Sequence, residues 1–184
     1  LGILFFFKYA NFGLGLYAQA AGILGLPNRP EELELFIPLG VSFYTFHSIS
    51  YIVDIYLRKV TASRSLVEYA LYVSFFPKLI SGPIERTERF IVQLREQRNF
   101  EWENFFQAVK LILYGLVLKL CIGDRLSFVT EKIFSKYSNA DRLDLWLGYY
   151  GYSLQIYADF FGYTMVATGS ALLFGIKLSK NFSH

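Results

Sequence analysis

One carboxylate, Asp159, stands inside a stretch that is otherwise nearly all apolar or aromatic. Along residues 143–163, Tyr152, Gln155, Asp159, Gly162 and Tyr163 recur at short helical steps. A helix would set them on one stripe, with Ile156 and Phe160 off it. An ionisable group inside a membrane span costs roughly 2.5–3.5 kcal/mol, so it usually faces protein or a water-filled interior. The stripe predicts Asp159 turned inward, with Gln155 and tyrosine hydroxyls as partners. Two readings stand: a structural carboxylate tying helices together, or the wall of a substrate path. A nucleophile is not among them.

A second stripe lies in residues 35–57, where Tyr44, His47, Tyr51, Asp54 and Arg58 share one helical face and Phe43, Phe46, Ile49 and Val53 the other. It reads as an Asp54–Arg58 pair near the helix end with His47 a satisfied core residue, or as His47 poised to act as a base. A third candidate is the stretch FFPKLISGPIERTERF. Pro77 and Pro83, with Gly82 before the second, break helix geometry there. Arg86 follows shortly after the break. A guanidinium delivered there suits bidentate binding of a phosphate or carboxylate. The alternative is a cap or an inter-helix salt bridge with Glu85 or Glu88. Lys78, Lys110 and Lys119 are expected to snorkel out of apolar surroundings.

These stripes need long apolar helices to carry them, and the composition supplies the material. Of the 184 residues, 54% are hydrophobic and 19% aromatic, and only 18% are charged, against about 25% in soluble domains. Several runs approach the ~20 residues that cross a bilayer core. The predicted spans are about 2–26, 35–57, 66–82, 104–123, 143–163 and a short one at 164–178. An amphipathic stretch at 84–103 and an interfacial helix at 124–142 complete the pattern. Breaks at Pro77 and Pro83 are tolerated only where protein or a water-filled cavity satisfies the freed backbone. The loop at 25–34 carries Arg29 among three Glu, whereas 57–65 holds Arg58, Lys59 and Arg64, which places the second loop in the cytoplasm. The fold class is therefore all-α, a multi-span transmembrane bundle with re-entrant or broken helices. The chain starts at Leu1 in apolar sequence and is read as a piece of a longer protein.

Other chemistries find no footing. The lone Cys121 offers no disulfide framework, His47 and His184 are too far apart in sequence to suggest a metal site, and a net charge of +3 gives no nucleic-acid signal. No nucleophile elbow, phosphate loop, zinc helix or dinucleotide fingerprint is present.

In this order, the stretches IPLGVSFYTFHSISYIVDIY at 37–56, LYVSFFPKLISGPIERTERFIVQL at 71–94, LKLCIGDRL at 118–126 and LQIYADFFGYTMVATGSALLFGIKLSKNF at 154–182 resemble the membrane-bound O-acyltransferase family. The branch they are most similar to is the bacterial alginate O-acetyltransferase group. SGPIERTERF is also similar to the branch that transfers D-alanine to teichoic acids. The resemblance implies that residues 1–184 are part of a single transmembrane domain, cut before the catalytic histidine region. It implies that Asn181 and Phe182 begin an N-F-x-x-P-Y stretch, with the catalytic histidines beyond His184. His184 falls in a variable position, and His47 sits where members often carry Gln. Met165 stands where the family pattern keeps a second carboxylate, and Phe161 replaces a Ser.

From this resemblance, Gln155, Asp159, Tyr163, Arg86, His47 and Asp54 are expected to line a polar cavity or substrate path, and none to be catalytic. No bound cofactor or metal is expected. Acetyl-CoA or another acyl donor is a substrate, and the acceptor is an extracytoplasmic polysaccharide such as alginate or another cell-surface glycan. The remaining partners are membrane lipid and a periplasmic or extracellular acyltransferase, with no nucleic acid. The expected location is the bacterial inner membrane, multi-pass. The competing functions are D-alanyl transfer to teichoic acid and a non-catalytic transport or scaffold module. The helical bundle would supply a water-poor path for the acyl group, and a downstream His would act as general base.

Overall fold

A computed structural model of the chain describes residues 2–24, 33–35, 38, 40–79, 82–83, 85–137, 140–179 and 181. The loop around Arg29, the break residues 80–81 and 84, and the positions Phe182 and His184 lie outside the described residues. Among the described residues every regular element is helical: α1 (Gly2–Ile23), α2 (Val41–Tyr56), α3 (Leu66–Ser74), α4 (Phe76–Leu79), α5 (Thr87–Arg95), α6 (Trp102–Val117), α7 (Asp124–Phe134) and α8 (Arg142–Leu173). A π-helical turn, Leu118–Gly123, joins α6 to α7.

That turn corrects the expected boundary at Gly123. Instead of stopping, the ladder shifts register: the Asp124 N–H donates to the Lys119 carbonyl five residues back. Trp102–Phe134 therefore forms one 33-residue rod, about 50 Å long, with a window of mean hydropathy 1.8. Among the described residues it is the one helix long and apolar enough to cross a membrane. Only 11% of that window is buried, so its apolar surface needs lipid or further helices around it.

The expected fifth and sixth spans are also one element, α8. Neither Gly162 nor Gly169 interrupts it, because each lies against the rod rather than in a turn. α8 starts at the Asp141 cap, whose Oδ1 accepts from Arg142 N–H at 2.7 Å. It stops at Gly175, where φ of +71° lets the Gly175 N–H reach Leu172 O at 2.8 Å and the Ile176 N–H reach Ala171 O at 3.0 Å. The expected span at 66–82 is shorter than a bilayer crossing. α3 ends at Phe75 (ψ 106°), and Pro77 falls in the first turn of α4, where its missing N–H is not needed.

α8 and the rod run antiparallel, meeting at Gly115 and Gly162. A Cβ on Gly115 would lie 2.5 Å from the Gly162 carbonyl oxygen, so only glycine permits this approach. Beside them, α2, α3, α5 and the end of α8 close a core of Tyr51, Tyr72, Phe75, Phe90, Ala171 and Ile176. The accessible surface is 13710 Å², against about 9,100 Å² for a compact soluble protein of this mass. Much of the excess is apolar, including Phe5, Phe12, Phe106 and Leu154.

Candidate functional site

The predicted residues fall in three places rather than one cavity. Asp159 and Gln155 face the rod, as their stripe requires, but their partners differ from those expected. Lys119 Nζ donates to Asp159 Oδ1 at 2.9 Å and bridges to Asp124 Oδ1 at 2.8 Å. Thr130 Oγ1 donates to Gln155 Oε1 at 2.7 Å. The rod runs along the stripe and offers a different residue at each level, so Asp159 and Gln155 are separated by their partners. The π turn sets Lys119 over Asp124, five residues on. Gly123 leaves room for the carboxylate, since a Cβ there would overlap Asp159 Oδ1. Lys119 is thus pinned between two carboxylates.

Tyr163 lies one turn further along α8 and lines a mainly apolar cavity of about 430 Å³ with Phe76, Leu79, Lys119, Val166 and Ser170. This cavity, between α4, the rod and α8, places an ammonium and a phenol at the edge of an apolar recess.

The second place joins Asp54 to Arg86. Both line a polar cavity of about 330 Å³ with Ser50, Lys59 and Glu88. Arg86 is exposed as the residue before α5, and no ion pair holds it among the described residues. The expected Asp54–Arg58 pair is not formed. α2 stops at Tyr56, and Arg58 turns away in a left-handed conformation, φ 56°. Two cations and two carboxylates around one cavity suit a zwitterionic or phosphate-bearing group better than a simple anion.

The third place is the core around His47, which sequence reasoning read only in part. His47 is buried edge-on to Tyr72, ring centroids 5.9 Å apart, near the Phe43 carbonyl but without a well-formed hydrogen bond. Lys78, expected to snorkel, is instead fully buried. Its side-chain nitrogen sits 4.0 Å from the Tyr72 ring centre and 3.9 Å from that of Phe90, with no hydrogen-bond acceptor among the described residues. Two aromatic faces take the place of water around the Lys78 nitrogen. Tyr72 OH shares a 3.1 Å hydrogen bond with Thr87 Oγ1, and the buried Glu85 carboxylate accepts from Ser179 N–H instead of pairing with Arg86. The run FFPKLI carries no periodic signal that singles out Lys78. Its box depends on rings from α3 and α5.

At the edge of this core, Arg95 grips Glu68 through two bonds, Nε to Oε1 at 2.5 Å and Nη2 to Oε2 at 3.0 Å. Ser63 Oγ also donates to Glu68. These bonds hold the Glu68 carboxyl below its ordinary value of 4.5.

The profile of the MBOAT, membrane-bound O-acyltransferase, family matches residues 57–183. The chain is 37% identical to the probable alginate O-acetylase AlgI of Pseudomonas syringae pv. tomato, over 100% of this chain and 35% of that protein. It is 31% identical to the peptidoglycan O-acetyltransferase of Helicobacter pylori over 100% of this chain and 39% of the relative. With the teichoic acid D-alanyltransferase of Bacillus subtilis it shares 30% identity over 85% of this chain and 40% of the relative. The chain thus spans little more than a third of the length of the curated relatives it matches.

Proposed function

Because the chain belongs to the membrane-bound O-acyltransferase family, we propose that the whole protein is an acyltransferase that moves an acetyl group onto an extracytoplasmic polysaccharide, such as alginate or another cell-surface glycan. The observation that carries this reading is similarity to O-acetylating relatives over the entire chain, at 37% and 31% identity. The donor is acetyl-CoA or another cytoplasmic acyl donor, and the acceptor lies on the far side of a multi-pass inner-membrane bundle. Residues 1–184 supply part of that single transmembrane domain, and the catalytic histidines come from the chain beyond it. A periplasmic or extracellular acyltransferase partner completes the route.

The residues of this chain would then do three things. The α6–α8 pair, closed at Gly115 and Gly162, excludes water that would otherwise intercept an acyl group. Lys119, Asp124 and Asp159 fix charge at the edge of the apolar recess lined by Tyr163. Asp54 and Arg86 provide a polar mouth suited to a phosphate-bearing donor.

A second reading, D-alanyl transfer to teichoic acid, is supported by the match to the Bacillus subtilis relative, over less of the chain. Membrane vesicles containing the full-length protein, given labelled acetyl-CoA and glycan, should accumulate acetyl ester on the glycan. Label appearing only from activated D-alanine would favour the second reading, and transfer from neither donor would reject both.

A further inference from the structure

The residues that follow Gly175 are not a loose exit. The Gly175 stop turns the chain into an extended segment, Ile176–Ser179, in which Ile176 and Leu178 are buried in the core and Lys177 faces outward. That is the alternation of a strand, yet no strand pairs with it among the described residues. Its backbone is met by side chains. The Gln93 amide Nε2 donates to Lys177 O at 3.0 Å, while its Oε1 accepts from Lys177 N–H at 2.8 Å. Glu85 accepts from Ser179 N–H. Arg98 Nε donates to the Gln93 carbonyl at 3.2 Å, and its side chain lies over Gly175. A Cβ on Gly175 would come within 3.0 Å of Arg98 Cδ.

Gln93 has little freedom in this arrangement. Its second amide contact is Arg89 O at 3.2 Å, so both donor directions and one acceptor are occupied. Turning the amide over would set its oxygen against two carbonyls. The same two-point device recurs near the other end of the chain, where the Asn11 amide brackets the Leu33 backbone at 2.8 and 3.0 Å. There it faces solvent. At Lys177 the bracket is also exposed, but the residues on either side of it, Ile176 and Leu178, are buried in the core, and the chain continues from it to Asn181.

We propose that Gln93 is a positioning residue: its amide stands in for a neighbouring strand, holds Ile176–Ser179 extended, and thereby sets where the chain after α8 enters the acyl-transfer site. The positioning role rests on the proposed acyltransferase reading, whereas the holding role does not. Glu85 and Arg98 support the same strap from either side.

The test uses the full-length protein in detergent, with Gln93→Glu as the variant. Its shape is that of Gln, but both donors are lost and a carboxylate oxygen faces the Lys177 and Arg89 carbonyls. Amide hydrogen exchange across 176–181 should accelerate on the order of tenfold, with protection in α6 and in α8 up to Ala171 unchanged. Acetyl transfer should fall in kcat with the acceptor KM unchanged. Wild-type exchange across 176–181 in the variant would overturn the strap. Faster exchange with wild-type kcat would overturn the positioning role. If the variant loses protection throughout α6 and α8, Gln93→Asn, too short to span both bonds, gives the same local readout without the added charge. A wild-type protein that transfers no acetyl group would reject the functional reading, and exchange would still decide the strap.

Discussion

Lys119 Nζ lies 2.9 Å from Asp159 Oδ1 across the contact between the rod and α8, and the same ammonium reaches Asp124 at 2.8 Å. The Asp159 carboxylate is thus answered by a cation on a facing helix. Removing Asp159 leaves Lys119 with Asp124 as its remaining counter-ion, whereas removing Lys119 leaves both carboxylates unanswered. Asp159→Asn should lower the stability of the detergent-purified protein by about 1 kcal/mol for this half-exposed pair, read as a lower apparent Tm. Lys119→Met, which strands both carboxylates, should cost more, and adding Asp159→Asn to it should recover part of that larger loss. A double variant less stable than the sum of the single ones would show that the pair does not act as a unit.

The Gly115–Gly162 crossing makes a sharper prediction. Gly162→Ala places a Cβ 2.8 Å from the Gly115 carbonyl oxygen, so the two helices must separate. Overpacking of this kind costs about 1–3 kcal/mol. Thermal unfolding in detergent should register it, whereas Gly13→Ala, in open space on α1, should leave the Tm where it is or raise it. Equal behaviour of the two variants would contradict the close approach.

Tyr72 separates ring from hydroxyl. Tyr72→Phe keeps the face over Lys78 and loses the Thr87 hydrogen bond, at about 1 kcal/mol. Tyr72→Leu strips one wall from the buried Lys78 nitrogen and opens the core, at about 3 kcal/mol or more. Equilibrium unfolding of the two variants should show that gap. Near-equal losses would mean that Lys78 gains nothing from the ring.

Glu68 gives the pH dependence. Arg95 and Ser63 hold its folded carboxyl below 4.5, so its contribution is complete above the unfolded value and disappears as pH falls through the folded one. Glu68→Gln should melt below wild type at neutral pH, and the two curves should converge as the pH drops under 4.5. A gap that stays constant down through acid would place the stabilisation elsewhere.

Much of this architecture is legible from periodicity. His47, Tyr51, Gln155 and Asp159 turn toward neighbouring helices because a 3.6-residue period fixes the face before any neighbour is known, while Tyr152 and Arg58 at the ends of the same stripes are exposed. The partners were not legible. Asp159 meets Lys119 because a π turn shifts the rod by a residue, and nothing in LKLCIG distinguishes that turn from a helix stop. Gly123 looks like a terminus in one dimension and is a clearance for a carboxylate in three. Lys78 sits in an apolar run, and its burial depends on Tyr72 and Phe90, contributed by two other elements. Gln93 meets Lys177 across a long stretch of chain, a distance that local pattern cannot bridge. The six expected spans follow from the lengths of apolar runs, which do not show where the backbone leaves the helix. α3 and α4 fall short because Phe75 turns the backbone out of helix, and the last two runs merge because Gly162 packs instead of bending.

The most direct test of the acyltransferase reading is the ester chemistry of the cell-surface glycan, measured by proton NMR in cells with and without the full-length gene. The account predicts acetyl ester signals that vanish on deletion and return with the wild-type gene. Acetyl ester that persists unchanged in the deletion strain, or a loss confined to D-alanyl ester, would contradict it.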